Sequence, residues 1–114
     1  MPRRLSETMA NKHHFVGIGG VGMSALAQFH AMGGGAATGS DRLLDRGEVK
    51  ALRSRLSELG IGFFPQDGAG VDEETERVVL STAIEEDNPD LVRARALGIE
   101  TLHRADVLAE HVAR

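Results

Sequence analysis

Phe15-Val16-Gly17-Ile18-Gly19-Gly20-Val21-Gly22-Met23-Ser24 decides how this chain reads. An apolar strand runs into a glycine turn, and the turn opens a helix. Gly17, Gly19 and Gly22 fit the pattern G-x-G-x-x-G, in which each glycine has a physical task. The first permits a tight turn, the second lets an anionic ligand approach the backbone, and the third lets the helix pack close to the strand. Free N–H groups of the first helical turn, aided by the helix dipole, favour negative charge there. The chemistry implied is binding of a phosphate or diphosphate. Glycine runs also form plain turns, so the context matters. The apolar residues His14-Phe15-Val16 and Ile18 surround the turn's entry, and a helical stretch from Met23 to Met32 follows. A second short strand then ends at Asp41, 24 residues after Gly17, where an acid can accept hydrogen bonds from ribose hydroxyls.

The rest of the chain alternates in the same way. Residues 1–11 are polar and unpatterned and read as a mobile arm; residues 12–114 read as one domain. The strands expected are His13–Ile18, Ala36–Ser40, Ile61–Phe64, Val78–Leu80 and Ile99–Leu102. Between them, Met23, Leu26 and Ala27 mark the inner face of the first helix, which ends at Gly33. Val49, Leu52, Leu56 and Leu59 mark the second, which Gly60 stops. Asn88 as N-cap, Pro89 at the first helical position and Asp90 complementing the dipole open a third helix. Its expected inner residues are Leu91, Ala94 and Leu97. A last helix from Arg104 is expected to turn Ala105, Leu108 and Val112 inward. Alternating strands and helices imply a parallel sheet with right-handed crossovers. The fold class is therefore α/β, a Rossmann-like doubly wound parallel sheet of five strands in the order 3-2-1-4-5. Ligands of such sheets sit beyond the carboxyl ends of the strands at the switch point, here between strands 1 and 4. Three loops converge there: Gly17–Ser24, Asp41 and its neighbours, and Ser81–Ile84.

Composition narrows the classes of partner. The 114 residues suit one small domain, and the apolar fraction of 41% is ordinary. No stretch has the length of a transmembrane helix, and the arm lacks a signal peptide's apolar core. The absence of cysteine excludes disulfide and thiolate chemistry and suits the cytoplasm. A net charge of −4, with no Trp or Tyr, argues against nucleic acid. Backbone N–H groups still give an acidic chain a place for an anion.

Taken together, His14-Phe15-Val16-Gly17-Ile18-Gly19-Gly20-Val21-Gly22-Met23-Ser24, Gly39-Ser40-Asp41, Val79-Leu80-Ser81-Thr82-Ala83-Ile84 with Asn88-Pro89, and Arg104-Ala105 with Leu108-Ala109-Glu110 resemble the N-terminal domain of the Mur ligases. The likeness is specifically to those members that join L-alanine to UDP-N-acetylmuramate in peptidoglycan synthesis. The resemblance spans about residues 13 to 112. It implies a cytoplasmic domain that holds the UDP part of a UDP-sugar. Gly17, Gly19, Gly20, Val21, Gly22, Met23 and Ser24 would bind the diphosphate, Asp41 the ribose, and Ser81, Thr82 and Ala83 would help close the pocket. The family couples ATP hydrolysis to amide formation through an acyl phosphate.

Two departures accompany it. The family's ATP site is a Gly-Lys-Thr loop in a following domain, and no G-K-[ST] occurs in these residues. No catalytic residue is therefore assigned, and ATP and Mg are expected only in the full ligase. The implied partners are UDP-N-acetylmuramate or another UDP-sugar, and central and C-terminal ligase domains where these lie on a separate chain. Second, Gln66 stands roughly where relatives often carry a histidine near the uracil, after a connection a few residues longer than usual.

Other readings stand beside these. Ser24 is also an ordinary first-turn residue, and Asp41 an ordinary turn cap. The five histidines lack metal-ligand spacing and read as surface or satisfied packing residues. Glu85-Glu86-Asp87 reads as a solvated lead-in to the third helix. A small NAD-binding or nucleotide-sensing module would use Asp41 equally well. A non-catalytic remnant that binds other proteins would fit a degenerate glycine loop, but this loop is intact.

Overall fold

The computed structural model describes residues 12–42, 50–81 and 84–112. The arm over 1–11, Val49 of the second helical stripe, and Thr82 and Ala83 of the pocket loop lie outside them. The elements are β1 (His13–Val16), α1 (Val21–Met32), β2 (Ala37–Ser40), α2 (Lys50–Glu58), β3 (Gly62–Phe63), β4 (Arg77–Leu80), α3 (Pro89–Ala96), β5 (Glu100–His103) and α4 (Arg104–Val112). The five strands form one sheet in the order β3-β2-β1-β4-β5, with every pairing parallel. This is the expected topology, and its direction reverses between β1 and β4.

Strand alternation divides the interior into two layers. Phe15 and Val79 face one side, where they pack with Ile18, Met23, Leu26, Ala27, Leu56 and Val107. Val16 and Val78 face the other, against Val71 and Ala94. Buried on both faces, β1 and β4 carry adjacent apolar residues, Phe15-Val16 and Val78-Val79, as strands covered by helices do. The α3 opening folds as its residues dictate: the Asn88 side chain accepts the N–H groups of Asp90 and Leu91, and Pro89 follows it.

Four expected inner residues prove outward. Leu59 lies past the last turn of α2 and is exposed, and Leu97 is the exposed C-cap of α3. In α4 the inward residue is Val107, while Leu108 and Ala105 are exposed. Successive helical residues lie about 100° apart, so seating Val107 on α1 turns Leu108 to the surface.

Candidate functional site

The glycine turn hangs from β2. Ser40 C=O, the last carbonyl of that strand, accepts the N–H of Gly17 at 2.8 Å and of Ile18 at 3.0 Å. Gly17 has φ +80°, and nothing lies within 4 Å of the place a Cβ would take. Its requirement is therefore conformational. Gly17→Ala is expected to cost about 1–2 kcal/mol, the penalty of a left-handed L-residue, read as a lowered urea midpoint. An unchanged midpoint would mean that the turn relaxes without this geometry.

Asp41 follows β2 and is buried. Its Oδ2 accepts the Gly19 N–H at 2.8 Å, and a Cβ on Gly19 would sit 2.8 Å from that same oxygen. The middle glycine thus makes room for a carboxylate of the protein itself. Gly20 caps α1 without a side-chain hydrogen bond, and the first turn holds no acid. The N–H groups of Gly22 and Met23 take no partner among the described residues, which makes them donors for an anion. Met23 buries its side chain in the core and offers only its backbone. Ser24 is also buried, and its Oγ accepts from Gln28 Nε2 at 2.9 Å, so its hydroxyl proton remains to donate.

Gly22 corrects the sequence reading. No strand atom lies within 4 Å of its missing Cβ; the near neighbour is the Arg104 guanidinium, with Nη1 at 2.5 Å. Close contact with a strand falls instead to Gly39 of β2, whose missing side chain leaves space for Ile18.

A cleft of about 140 Å³ opens at the switch point, lined by Gly17, Asp41, Arg42, Gln66, Ile84 and Glu85. These residues follow β1, β2, β3 and β4, so four strand ends converge on it. Arg42 and Glu85 face each other at 2.9 Å. Their mutual hydrogen bond raises the arginine's pKa and lowers the carboxylate's. Ser81 is half-buried beside the cleft, and its C=O accepts the Ile84 N–H at 3.3 Å. A larger hollow of about 540 Å³ is lined, among the described residues, by Lys50, Arg53, Ser54, Ser57 and Glu58 of α2.

Behind the cleft lies a buried polar chain that the sequence reading missed. Gln66 Nε2 donates to Ser40 Oγ at 3.2 Å, while its Oε1 accepts from Asn88 at 3.0 Å. Ser40 Oγ donates to Asp90 Oδ2 at 2.5 Å, and His14 Nε2 donates to the same oxygen at 2.9 Å. Gly68 N–H reaches Asp90 Oδ1 at 2.8 Å, and His14 Nδ1 bonds Thr38 Oγ1 at 2.8 Å. Asp90 and His14 are wholly buried. Burial alone pushes the Asp90 carboxyl up, but hydrogen bonds from His14 and Ser40, the nearby His14 ring and the Gly68 N–H together hold it below its ordinary value. An acid at the second position of a helix reads as a dipole partner. Only the packing of α3 against β1 and β2 reveals it as a hub.

Of the other histidines, His13 stacks on His30 with ring centroids 4.0 Å apart. His103 departs from the satisfied packing expected, because its buried Nε2 has no partner among the described residues. Glu85 and Glu86 pair with Arg42 and Arg95 on an exposed lead-in to α3, as expected.

Residues 12–114 match the family model described as Mur ligase family, catalytic domain. A UDP-N-acetylmuramate–L-alanine ligase of Symbiobacterium thermophilum is 44% identical over 103 residues, covering 89% of this chain and 20% of that protein. One from Streptomyces coelicolor is 42% identical over 90% of this chain and 21% of its own length. The crystal structure of UDP-N-acetylmuramate–alanine ligase from Thermotoga maritima superposes with a TM-score of 0.78 at 33% identity, covering 90% of this chain and 23% of that one. The chain thus spans about a fifth of the length of the curated relatives it matches. A glycine turn hung from β2, an uncapped α1, a buried acid after β2 and these matches lead to one conclusion: the chain belongs to the Mur ligase family.

Proposed function

We propose that this domain binds the uridine diphosphate part of UDP-N-acetylmuramate, as the N-terminal domain of a ligase that adds L-alanine to that sugar nucleotide in the cytoplasm. The observation that carries the reading is the unpartnered first turn of α1 at the switch point, set beside Asp41. The diphosphate would accept the N–H groups of Val21, Gly22 and Met23 and the hydroxyl of Ser24. A carboxylate accepts up to about four hydrogen bonds, so bonding to Gly19 leaves Asp41 compatible with ribose hydroxyls. Ser81, Thr82 and Ala83 would help close the pocket.

ATP and Mg belong to other residues in this reading. Among the described residues no group of three His, Asp or Glu side chains is placed to hold a metal ion. Lys12 pairs with Asp72 at 2.8 Å, at the amino end of the sheet, and Lys50 opens α2. Phosphoryl transfer needs a lysine and a metal at the moving group, and neither lysine adjoins the cleft. These 114 residues alone are expected to release no phosphate from ATP when L-alanine and UDP-N-acetylmuramate are supplied.

The test is calorimetric titration with UDP-N-acetylmuramate, UDP and NAD. Both uridine nucleotides are expected to bind more tightly than NAD, and Asp41→Ala to weaken them about tenfold through loss of charge-assisted hydrogen bonds. Tighter binding of NAD would favour a dinucleotide module instead.

A further inference from the structure

At the amino end of the sheet, away from the cleft, two histidines lie ring on ring. His13 opens β1, and His30 stands in the last turn of α1. Their ring centroids are 4.0 Å apart, with the planes 10° from parallel. Residues two apart on a strand share a face, so β1 sets Phe15 beside His13. Phe15 tilts toward both rings, at 6.3 Å from His13 and 6.1 Å from His30. His30 has room at the end of its helix because Gly35 lacks a side chain: a Cβ there would run into the imidazole. His13 Nε2 donates to Glu76 Oε1 at 3.1 Å, since a carboxylate only accepts.

Each ring has a reason to hold a proton. Glu76 favours charge on His13, and the negative end of the α1 dipole favours charge on His30. Charging both sets two like charges face to face in a place largely closed to water, where screening is weak. The other charged groups around the pair do not relieve this. Arg77, the first residue of β4, adds positive potential of its own. Glu100 and Glu110 are engaged by that arginine, and Asp72 by Lys12. The direction at His13 agrees with the geometry: burial first, then the His30 ring, lower its pKa below the ordinary 6.5 in spite of Glu76.

We propose that His13 and His30 are a one-proton pair, a pH-sensitive latch between β1 and the last turn of α1. With at most one ring charged the stack holds. A second proton drives the rings apart and frees that turn. The inference stands apart from the uridine diphosphate reading, because the pair lies at the other end of the sheet. Linkage gives the sign. In the unfolded chain both rings titrate near 6.5, whereas in the folded chain the second proton binds only at lower pH. The latch's contribution to stability is therefore complete above 6.5 and is lost as pH falls through the folded value. That window lies above the one set by Asp90, whose carboxyl titrates below 3.8.

The test is a titration from about pH 8 to about pH 5, the range in which histidine changes charge, read on the histidine Cε1 protons by NMR and on the melting temperature. It compares the wild-type chain with His30→Phe, which keeps a stacked ring without the charge, and His30→Gln, which removes both. His13 is expected to bind its proton about tenfold more tightly in either variant, a midpoint about one pH unit higher, because the facing charge is gone. The wild-type melting temperature should fall more across this range than that of either variant. The Gly33, Gly34 and Gly35 amides bond the carbonyls of Phe29, Ala31 and His30. Corrected for intrinsic exchange, their protection should drop in acid in the wild type alone. Two substitutions of different shape keep the comparison open if one of them does not fold. A His13 midpoint that stays in place in the folded variants, or melting profiles of equal slope in variant and wild type, overturns the latch. Glu76→Gln, at an exposed position, should lower the His13 midpoint, and an unchanged midpoint there overturns it as well.

Discussion

Replacing Asp90 with alanine is expected to destabilise the domain by about 3–5 kcal/mol, since each buried donor left without its acceptor costs about 1–3 kcal/mol. The loss is large because three donors are stranded at once: His14 Nε2–H, Ser40 Oγ–H and Gly68 N–H, all turned to a carboxylate that no longer exists. Urea denaturation of wild type and variant measures it, and a loss below about 1 kcal/mol, the scale of one ordinary hydrogen bond, would show the hub to be wrongly described. The same carboxylate sets an acid limit. Its folded pKa lies below the ordinary 3.8, so its contribution is complete above that value and is lost as pH falls through the folded one. Stability should therefore decline as pH falls below that ordinary value, and less steeply in an Asp90→Asn variant, which has no proton to gain.

Gly39→Val should damage fold and site together. A Cβ at Gly39 would stand 2.8 Å from Ile18 Cβ and 3.0 Å from its Cγ2, in a region where Ile18 is fully buried. Overpacking of that kind typically costs about 1–3 kcal/mol. Ile18 lies between Gly17 and Gly19, so moving its side chain also moves the turn that presents α1 to the ligand. UDP affinity should fall by more than about tenfold, the equivalent of one lost charge-assisted bond. Shrinking the neighbour offers the control: Ile18→Ala combined with Gly39→Val should recover part of both losses. A single variant with wild-type melting temperature and wild-type affinity would refute the packing argument.

The topology was legible because every strand and helix announces itself locally. Most apolar runs are bounded by glycine or proline, and Asn88-Pro89 is an explicit helix start. The positions of Gly17, Gly19 and Asp41 followed from the same local grammar. What stayed hidden depends on distance through the fold. Nothing near Asp90 in sequence announces His14, 76 residues away, as its partner. Gln66 could be named as a departure but not as the link between Ser40 and Asn88. The last helix was misread because Val107 and Leu108 are adjacent and equally apolar, and only its docking on α1 chooses between them. Gly22 was matched to a role by pattern, and a side chain from the far end of the chain occupies the place instead.

The suspension of the glycine turn from Ser40 has a consequence for hydrogen exchange. The Gly17 and Ile18 amides are locked to a strand-end carbonyl before any ligand arrives, whereas those of Gly22 and Met23 have no acceptor among the described residues. Adjacent peptide groups should then exchange with solvent deuterium in two classes, the first slow and the second fast. Uridine nucleotide should slow only the second class. The turn itself has little disorder left to lose, so association need not spend binding energy on ordering it.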